Sequence, residues 1–207
     1  MFSWLMAKYY DYMLRDAEEK CLKDWRKILL QDLSGDVLEL GCGTGANLAF
    51  YPNTINHLVL AEPNLSMQQQ LDLKLKNYSH LPASVLVCTA ESISTPDNSF
   101  DAVVSTLLLC TVNNPALALS EIHRVLRPGG KLFFIEHVAA QNNPERLKWQ
   151  KRIEPFWKIL QCNCHLTRDT EANILQAGFI IQKINRQSMR GVPAIVRPSI
   201  WGIAEKL

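Results

Sequence analysis

Apolar residues Met13 or Leu14, Ala17, Cys21, Trp25, Ile28 and Leu29 recur every three or four positions early in the chain, a spacing that lays one stripe along an α-helix. It predicts a cover helix that ends near Leu33-Ser34-Gly35-Asp36. Beyond it the period changes to short β-rich runs at 36–40, 57–62, 84–89, 100–106 and 131–138. The first four are largely apolar on both faces, as strands of a parallel sheet buried between helices must be. Segments between them carry helical spacing, above all "NNPALALSEIHRVL", where Asn114 reads as an N-cap, Pro115 as the first helical residue and the glycines of "RPGG" as the helix stop. This alternation predicts a doubly wound, Rossmann-like α/β fold with ligands at the carboxyl ends of its strands. After the fifth strand "NNPERLKWQKRIEPFWKILQ" reads as a helical insertion lying over those ends as a lid. "FIIQKIN" and "IWGIAEKL" read as two closing strands that complete a seven-stranded mixed sheet with an antiparallel edge. The expected organisation is one domain: a helical cover (1–34), a cofactor-binding core (35–138), the insertion (139–178) and the closing strand pair (179–207).

Composition narrows the partners. A chain of 207 residues builds one well-cored domain, and 22 basic against 20 acidic residues leave a net charge of +2, too weak a field to predict a nucleic-acid partner. A small molecule is expected instead. Six cysteines lie mostly inside apolar runs with no cleavable signal peptide before them, so reduced thiols and a cytoplasmic location are expected. No apolar run approaches the roughly 18 residues of a membrane span. The aromatic start "MFSWLMAKYYDYM", interrupted by Lys8 and Asp11, leaves a surface contact with lipid open.

The densest chemical signal is "VLELGCGTGAN", residues 37–47. Gly41, Gly43 and Ala46 satisfy the dinucleotide pattern G-x-G-x-x-G/A, which alone also permits an NAD-dependent oxidoreductase. Two residues separate this loop from NAD. Glu39, on the side of the strand that Gly41 also faces, would repel a pyrophosphate and favour a ligand bearing a sulfonium and an ammonium. Gly45 adds a third alternating glycine, more than a tight turn needs. Asn47 closes the loop. Glu62, at the end of the second strand with Pro63 after it, sits where a carboxylate accepts bonds from ribose hydroxyls. Ala90 and Glu91 end the third strand, with a backbone amide and a carboxylate for adenine. Ser105, Thr106 and Leu107 end the fourth, beside the methionine part of S-adenosylmethionine.

"ELGCGTGAN", "AEPN", "TAES" and "LRPGG" stand in the order and spacing of class I S-adenosylmethionine-dependent methyltransferases of the type 11 group, which this chain resembles from Val37 to Val138. "FYP", "EHVAA", "CHLTR" and "VRPSIWGIAEK" extend a nearer resemblance, over almost the whole chain, to the methyltransferase-like protein 7 group of thiol methyltransferases. That resemblance implies methyl transfer from S-adenosylmethionine, with S-adenosylhomocysteine as product, to a small lipophilic acceptor such as an alkyl thiol. Lipid-headgroup amines, quinone-type rings and a noncatalytic S-adenosylmethionine-binding role stay open. Vertebrate members of the group carry an N-terminal hydrophobic anchor, for which this sequence shows no counterpart.

Transfer from a sulfonium is an in-line displacement helped mainly by alignment. For a thiol acceptor, a base or cation that raises the thiolate fraction helps further. His137, after strand five, and His165 and Arg168 in "CNCHLTR" are the candidates. Cys162, Cys164 and His165 invite a metal reading, but no second ligand cluster accompanies them in sequence and no metal is expected. Thr167 and Asp169 read as the cap of the next helix. Trp4, Tyr9, Tyr10, Tyr12, Phe156 and Trp157 are candidates to roof an apolar acceptor pocket, with the N-terminal helix closing over the cofactor.

Overall fold

The computed structural model describes residues 2–207, with the side chains of residues 2–8 and of Tyr10 outside the description, so the roofing expected of Trp4 and Tyr10 falls outside it too. Helix α1 (Phe2–Ala17) runs through a π-turn (Glu18–Leu22) into α2 (Lys23–Leu30). Then follow β1 (Gly35–Leu40), β2 (Ile55–Ala61), α3 (Leu65–Leu75), β3 (Ala83–Leu86), β4 (Phe100–Thr106), α4 (Pro115–Val125), β5 (Leu126–His137), α5 (Pro144–Leu160), α6 (Thr170–Gln176), β6 (Phe179–Ser188) and β7 (Pro198–Lys206).

The strands form a seven-stranded sheet in the order β3-β2-β1-β4-β5-β7-β6. β1 to β5 are parallel, and β7 pairs antiparallel with both β5 and β6. The order reverses between β1 and β4, the switch point at which open α/β sheets bind ligands. Alternation along each strand divides the core. Val37, Leu60, Val104, Phe133 and Trp201 face α2 and α3, while Leu38, Val59, Val103, Phe134 and Ala204 face α4 and α6. Trp25 of α2 stacks on Trp201 of β7 with ring centroids 6.3 Å apart.

The apolar stripe of the first helices is real but tighter than its sequence reading. Ala17, Cys21, Trp25 and Leu29 are buried at i+4 intervals and Leu22, Arg26 and Leu30 form a second buried row, whereas Met13 and Ile28 face outward. Asn114 caps α4 by accepting the Leu117 N–H at 3.1 Å, with Pro115 in the first turn. Replacing Asn114 with Ala should cost about 1 kcal/mol and lower the thermal midpoint by roughly 2–4 °C, measured by calorimetry.

Two local expectations need correction. "RPGG" is not the stop of α4: the helix already ends at Val125, and Leu126 pairs with Phe100 before the register shifts to Lys131 opposite Ala102. The segment is a bulged lead into β5, with Gly129 at φ +76°. The third strand stops at Leu86 rather than Thr89, because Leu86 is the last residue in register with β2. The glycine loop leads into a single 3₁₀ turn, Leu48–Phe50, since Pro52 and the start of β2 at Ile55 leave no room for a longer helix.

α5 is held against the end of β5 by fully buried Gln150, which accepts the Ala140 N–H at 2.7 Å and donates to the carbonyls of Val138 (3.2 Å) and Ile195 (2.8 Å). Among the described residues no helix is long and apolar enough to cross a membrane.

Candidate active site

The loop after β1 needs its glycines for different reasons. Gly41, Gly43 and Gly45 all have φ between +55° and +79°. A Cβ on Gly41 would strike Leu108 at 2.6 Å, but one on Gly43 would meet nothing closer than the Gly41 carbonyl at 4.0 Å. Gly41 is therefore tight against the protein, and Gly43 faces open space. Glu62 stands beneath this notch, one carboxylate oxygen accepting the Gly43 N–H at 3.0 Å and the other the Asn64 N–H at 2.9 Å. Burial pushes the Glu62 carboxyl up while those two amides pull it back. Pro63 is exposed at the turn that follows.

Glu39 is closed off from solvent behind the loop. It projects to the same side of the sheet as Val37, is 1% exposed, and accepts from Asn47 Nδ2 at 2.8 Å and Tyr51 Oη at 2.6 Å. Arg26, also buried, donates to Asn47 Oδ1 at 2.6 Å and Thr106 Oγ1 at 3.1 Å while its other edge pairs with Glu18. Asn47 and Thr106 are thus links in a network that fastens the loop and the end of β4 to α2. Burial raises the Glu39 carboxyl, with Tyr51, Asn47 and Arg26 opposing it. Asp11 of α1 accepts from Thr44 of the glycine loop and, at 3.0 Å, from Lys74 of α3, so the N-terminal helix is seated on the loop.

Beyond β4, Leu107 has φ +56°, an uncommon conformation for a branched residue, and its N–H reaches the Ile135 carbonyl at 2.7 Å. The turn it opens is organised by fully buried Glu136 of β5. Its carboxylate accepts from Ser105 Oγ (3.1 Å) and from the amides of Leu108 (3.1 Å), Leu109 (2.9 Å) and Cys110 (3.2 Å). Burial pushes the Glu136 carboxyl up to about 6 against the pull of these amides. Ser105 is thereby a partner of Glu136, wholly buried. Ala90 is buried, and Glu91 accepts the Asn113 N–H at 2.8 Å, bracing the approach to α4.

The three residues expected to act on the acceptor separate. His137 lies with Nε2 2.7 Å from Cys164 Sγ, and Cys110 joins them. A hydrogen bond from Cys110, together with His137, holds the Cys164 thiol well below the ordinary thiol range, and the same bond and burial push Cys110 up. His165 turns the other way, 3.6 Å from Glu154, and burial lowers its pKa. Arg168 donates to the carbonyls of Leu109 and Val112, which makes it a brace for the turn after β4. Asp169 caps α6 as expected, but Thr167 instead bonds Glu154, through its N–H and its hydroxyl, each at 2.7 Å. Among the described side chains expected to roof a pocket, Tyr9, Tyr12 and Phe156 are exposed and Trp157 is half-buried. A cavity of about 630 Å³ opens past β5 between Val138, Asn143, Arg168, Asp169, Arg186 and Ser199; its wall mixes polar and apolar surface evenly, and none of residues 41–47 lines it.

A methyltransferase-domain model matches residues 38–134. Over 99% of its length the chain is 41% identical to thiol S-methyltransferase TMT1B of Mus musculus, covering 86% of that protein, and over its whole length 34% identical to TMT1A of Homo sapiens, covering 89%. The chain belongs to this thiol S-methyltransferase group of class I methyltransferases. Geranyl diphosphate C-methyltransferase from Streptomyces coelicolor, solved with S-adenosylhomocysteine, shares the fold with a TM-score of 0.70 at 11% identity over 95% of this chain and 84% of that one. Like the group, this chain is an S-adenosylmethionine-dependent methyltransferase. The donor fits the site: the missing side chain at Gly43 leaves room for it, and a buried carboxylate lies directly below.

Reasoning from sequence missed Asp11, Arg26, Tyr51, Cys110 and Glu136. Arg26 and Glu136 had a visible signal, a charge inside an otherwise buried apolar row or strand.

Proposed function

We propose that the enzyme transfers the methyl group of S-adenosylmethionine to the sulfur of a small, lipophilic thiol. The similarity to the thiol S-methyltransferases carries this reading, because it covers 99–100% of the chain, the segments after β4 and β5 as well as the donor loop. S-adenosylmethionine supplies an electrophilic methyl on a sulfonium. On the protein side, Gly43 admits the donor and the Glu62 carboxylate offers acceptors for ribose hydroxyls. Ala90 and Glu91, in the loop that follows β3, are expected to hold adenine, and Leu107, just past β4, the methionine part. Glu39 and Asn47 act from behind the loop, Glu39 as a negative charge near the sulfonium side and Asn47 as its link to Arg26. His137, with Cys164, is placed to receive or orient the acceptor's proton; His165 and Arg168 support that region from Glu154 and the turn after β4. Free cysteines throughout the chain support a reducing, cytoplasmic setting.

Methyl-labelled donor offered to panels of alkyl thiols, phenols, amines and lipid headgroups tests the acceptor. Product from the thiol panel alone is expected, and product only from amines or quinols would overturn the reading. The seating of α1 on the loop makes a second expectation. Asp11→Ala should loosen donor binding about tenfold (~1.4 kcal/mol) while stability shifts by less than about 1 kcal/mol, since the Asp11–Lys74 pair is exposed. Titration calorimetry and thermal melts read the two separately, and unchanged affinity would remove the closing role of α1.

A further inference from the structure

We propose that Cys110, His137 and Cys164 form a three-ligand zinc site whose fourth position is open to the sulfur of the acceptor. The three come from the turn after β4, the end of β5 and the loop after α5, and one ligand atom from each lies within 4.8 Å of the other two. Two thiol sulfurs and one imidazole are a soft donor set that suits zinc far better than a hard cation.

The spacing fits after a small adjustment. Tetrahedral zinc at about 2.3 Å from sulfur and 2.0–2.1 Å from nitrogen separates neighbouring ligand atoms by roughly 3.5–3.8 Å. The 2.7 Å between His137 and Cys164 would open by about 1 Å, and the 4.8 Å limit already brackets the remaining separations.

The scaffold around the three ligands is rigid where a metal site needs it to be. The His165 N–H reaches the Cys110 carbonyl at 2.8 Å, Asn163 Nδ2 reaches the Thr111 carbonyl at 2.8 Å, and Arg168 bonds the carbonyls of Leu109 and Val112. These bonds lace the Cys164 loop to the Cys110 turn on both sides of the two sulfurs. His137 is fixed by β-pairing opposite Ser199. Cys162 and Asn163, immediately before Cys164, both adopt left-handed φ, +48° and +66°, a costly path for two non-glycine residues that turns Cys164 inward and leaves Cys162 exposed. Glu136, next to His137, has both oxygens engaged by four donors and is no fourth ligand. Three protein ligands with an open place are the pattern of a reactive zinc site, whereas structural sites close with four.

An acceptor thiol entering that place forms a zinc–sulfur bond as its S–H bond breaks, and the proton leaves to solvent, because His137 as a zinc ligand orients the acceptor through the metal and does not take its proton. No electron is transferred, and the sulfur is held as a thiolate at the carboxyl ends of β4 and β5, beside the turn that starts at Leu107. The metal site stands on its own geometry, and the role of its fourth position rests on the thiol reading above.

The full chain, purified and dialysed against zinc, should retain about one zinc per chain. Cobalt in its place should give an intense thiolate-to-cobalt charge-transfer band, and an added alkyl thiol should shift it. Cys110→Ser and Cys164→Ser should each abolish the band and the retained zinc, with folding followed by circular dichroism, and Cys88→Ser should keep both. Wild-type protein that holds no more zinc or cobalt than the Cys110→Ser/Cys164→Ser double variant overturns the site. A stoichiometric site whose cobalt band ignores every thiol, in an enzyme that methylates only amines or phenols, overturns the thiol reading and the role of the fourth position, but not the site itself.

Discussion

Gly43→Val should leave the protein folded and reduce its affinity for S-adenosylmethionine by more than 100-fold, a loss of about 3 kcal/mol or more by calorimetry. Two properties of this one position set the expectation. Its φ of +55° charges any L side chain a strain of roughly 1–2 kcal/mol, a tolerable cost and about 2–8 °C in thermal midpoint. The added side chain then meets no protein atom nearer than 4.0 Å at its Cβ, so it grows into the space above Glu62. Gly41→Val provides the contrast. There the Cβ lands 2.6 Å from Leu108, so stability and binding should fall together. A folded Gly43→Val protein that still binds the donor with its original affinity would show that this loop is not where the donor sits.

The same loop shows what a sequence discloses and what it hides. β1, β2, β4 and the closing pair were legible because burial on both faces, or on one, leaves a run of apolar residues that no neighbouring segment imitates. "RPGG" was misread because proline and glycine follow a helix pattern there, and only pairing with β4, a tertiary fact, makes Leu126 the start of a strand. Glu39 was found, but its surroundings were not: Arg26 arrives from a helix, and Tyr51 from beyond the loop. The place of Arg26 between Leu22 and Leu30 in a buried i+4 row was the available sign. Adjacency in the chain singled out the wrong group of ligands, and no metal was expected from it. Cys162, Cys164 and His165 are neighbours in the chain, yet Cys162 is exposed and His165 faces Glu154. The residues that do converge with Cys164 are Cys110 and His137, from distant parts of the chain, and nothing local announces them.

Glu136→Leu should lower stability by about 3–5 kcal/mol, or roughly 10 °C in thermal midpoint, although it replaces a charge with an apolar residue inside an apolar strand. Leucine fills much of the volume but supplies no acceptor. The amides of Leu108, Leu109 and Cys110 and the hydroxyl of Ser105 would all lose their shared partner in the interior, and each buried donor left without one costs on the order of 1–3 kcal/mol before the turn relaxes. Glu136→Gln separates this effect from volume. Its carbonyl oxygen can keep the bonds of Ser105, Leu108 and Leu109, while its NH₂ faces the Cys110 N–H, donor against donor, so a smaller loss is expected, near 1–2 kcal/mol. The turn it releases begins at Leu107, whose left-handed φ persists only while the surroundings impose it. Turnover should therefore fall in Glu136→Gln by more than donor affinity does, because the displaced turn adjoins the carboxyl ends of β4 and β5 while Gly43 and Glu62 keep their places. Equal losses of donor binding and turnover would instead make Glu136 a purely structural support of the whole site.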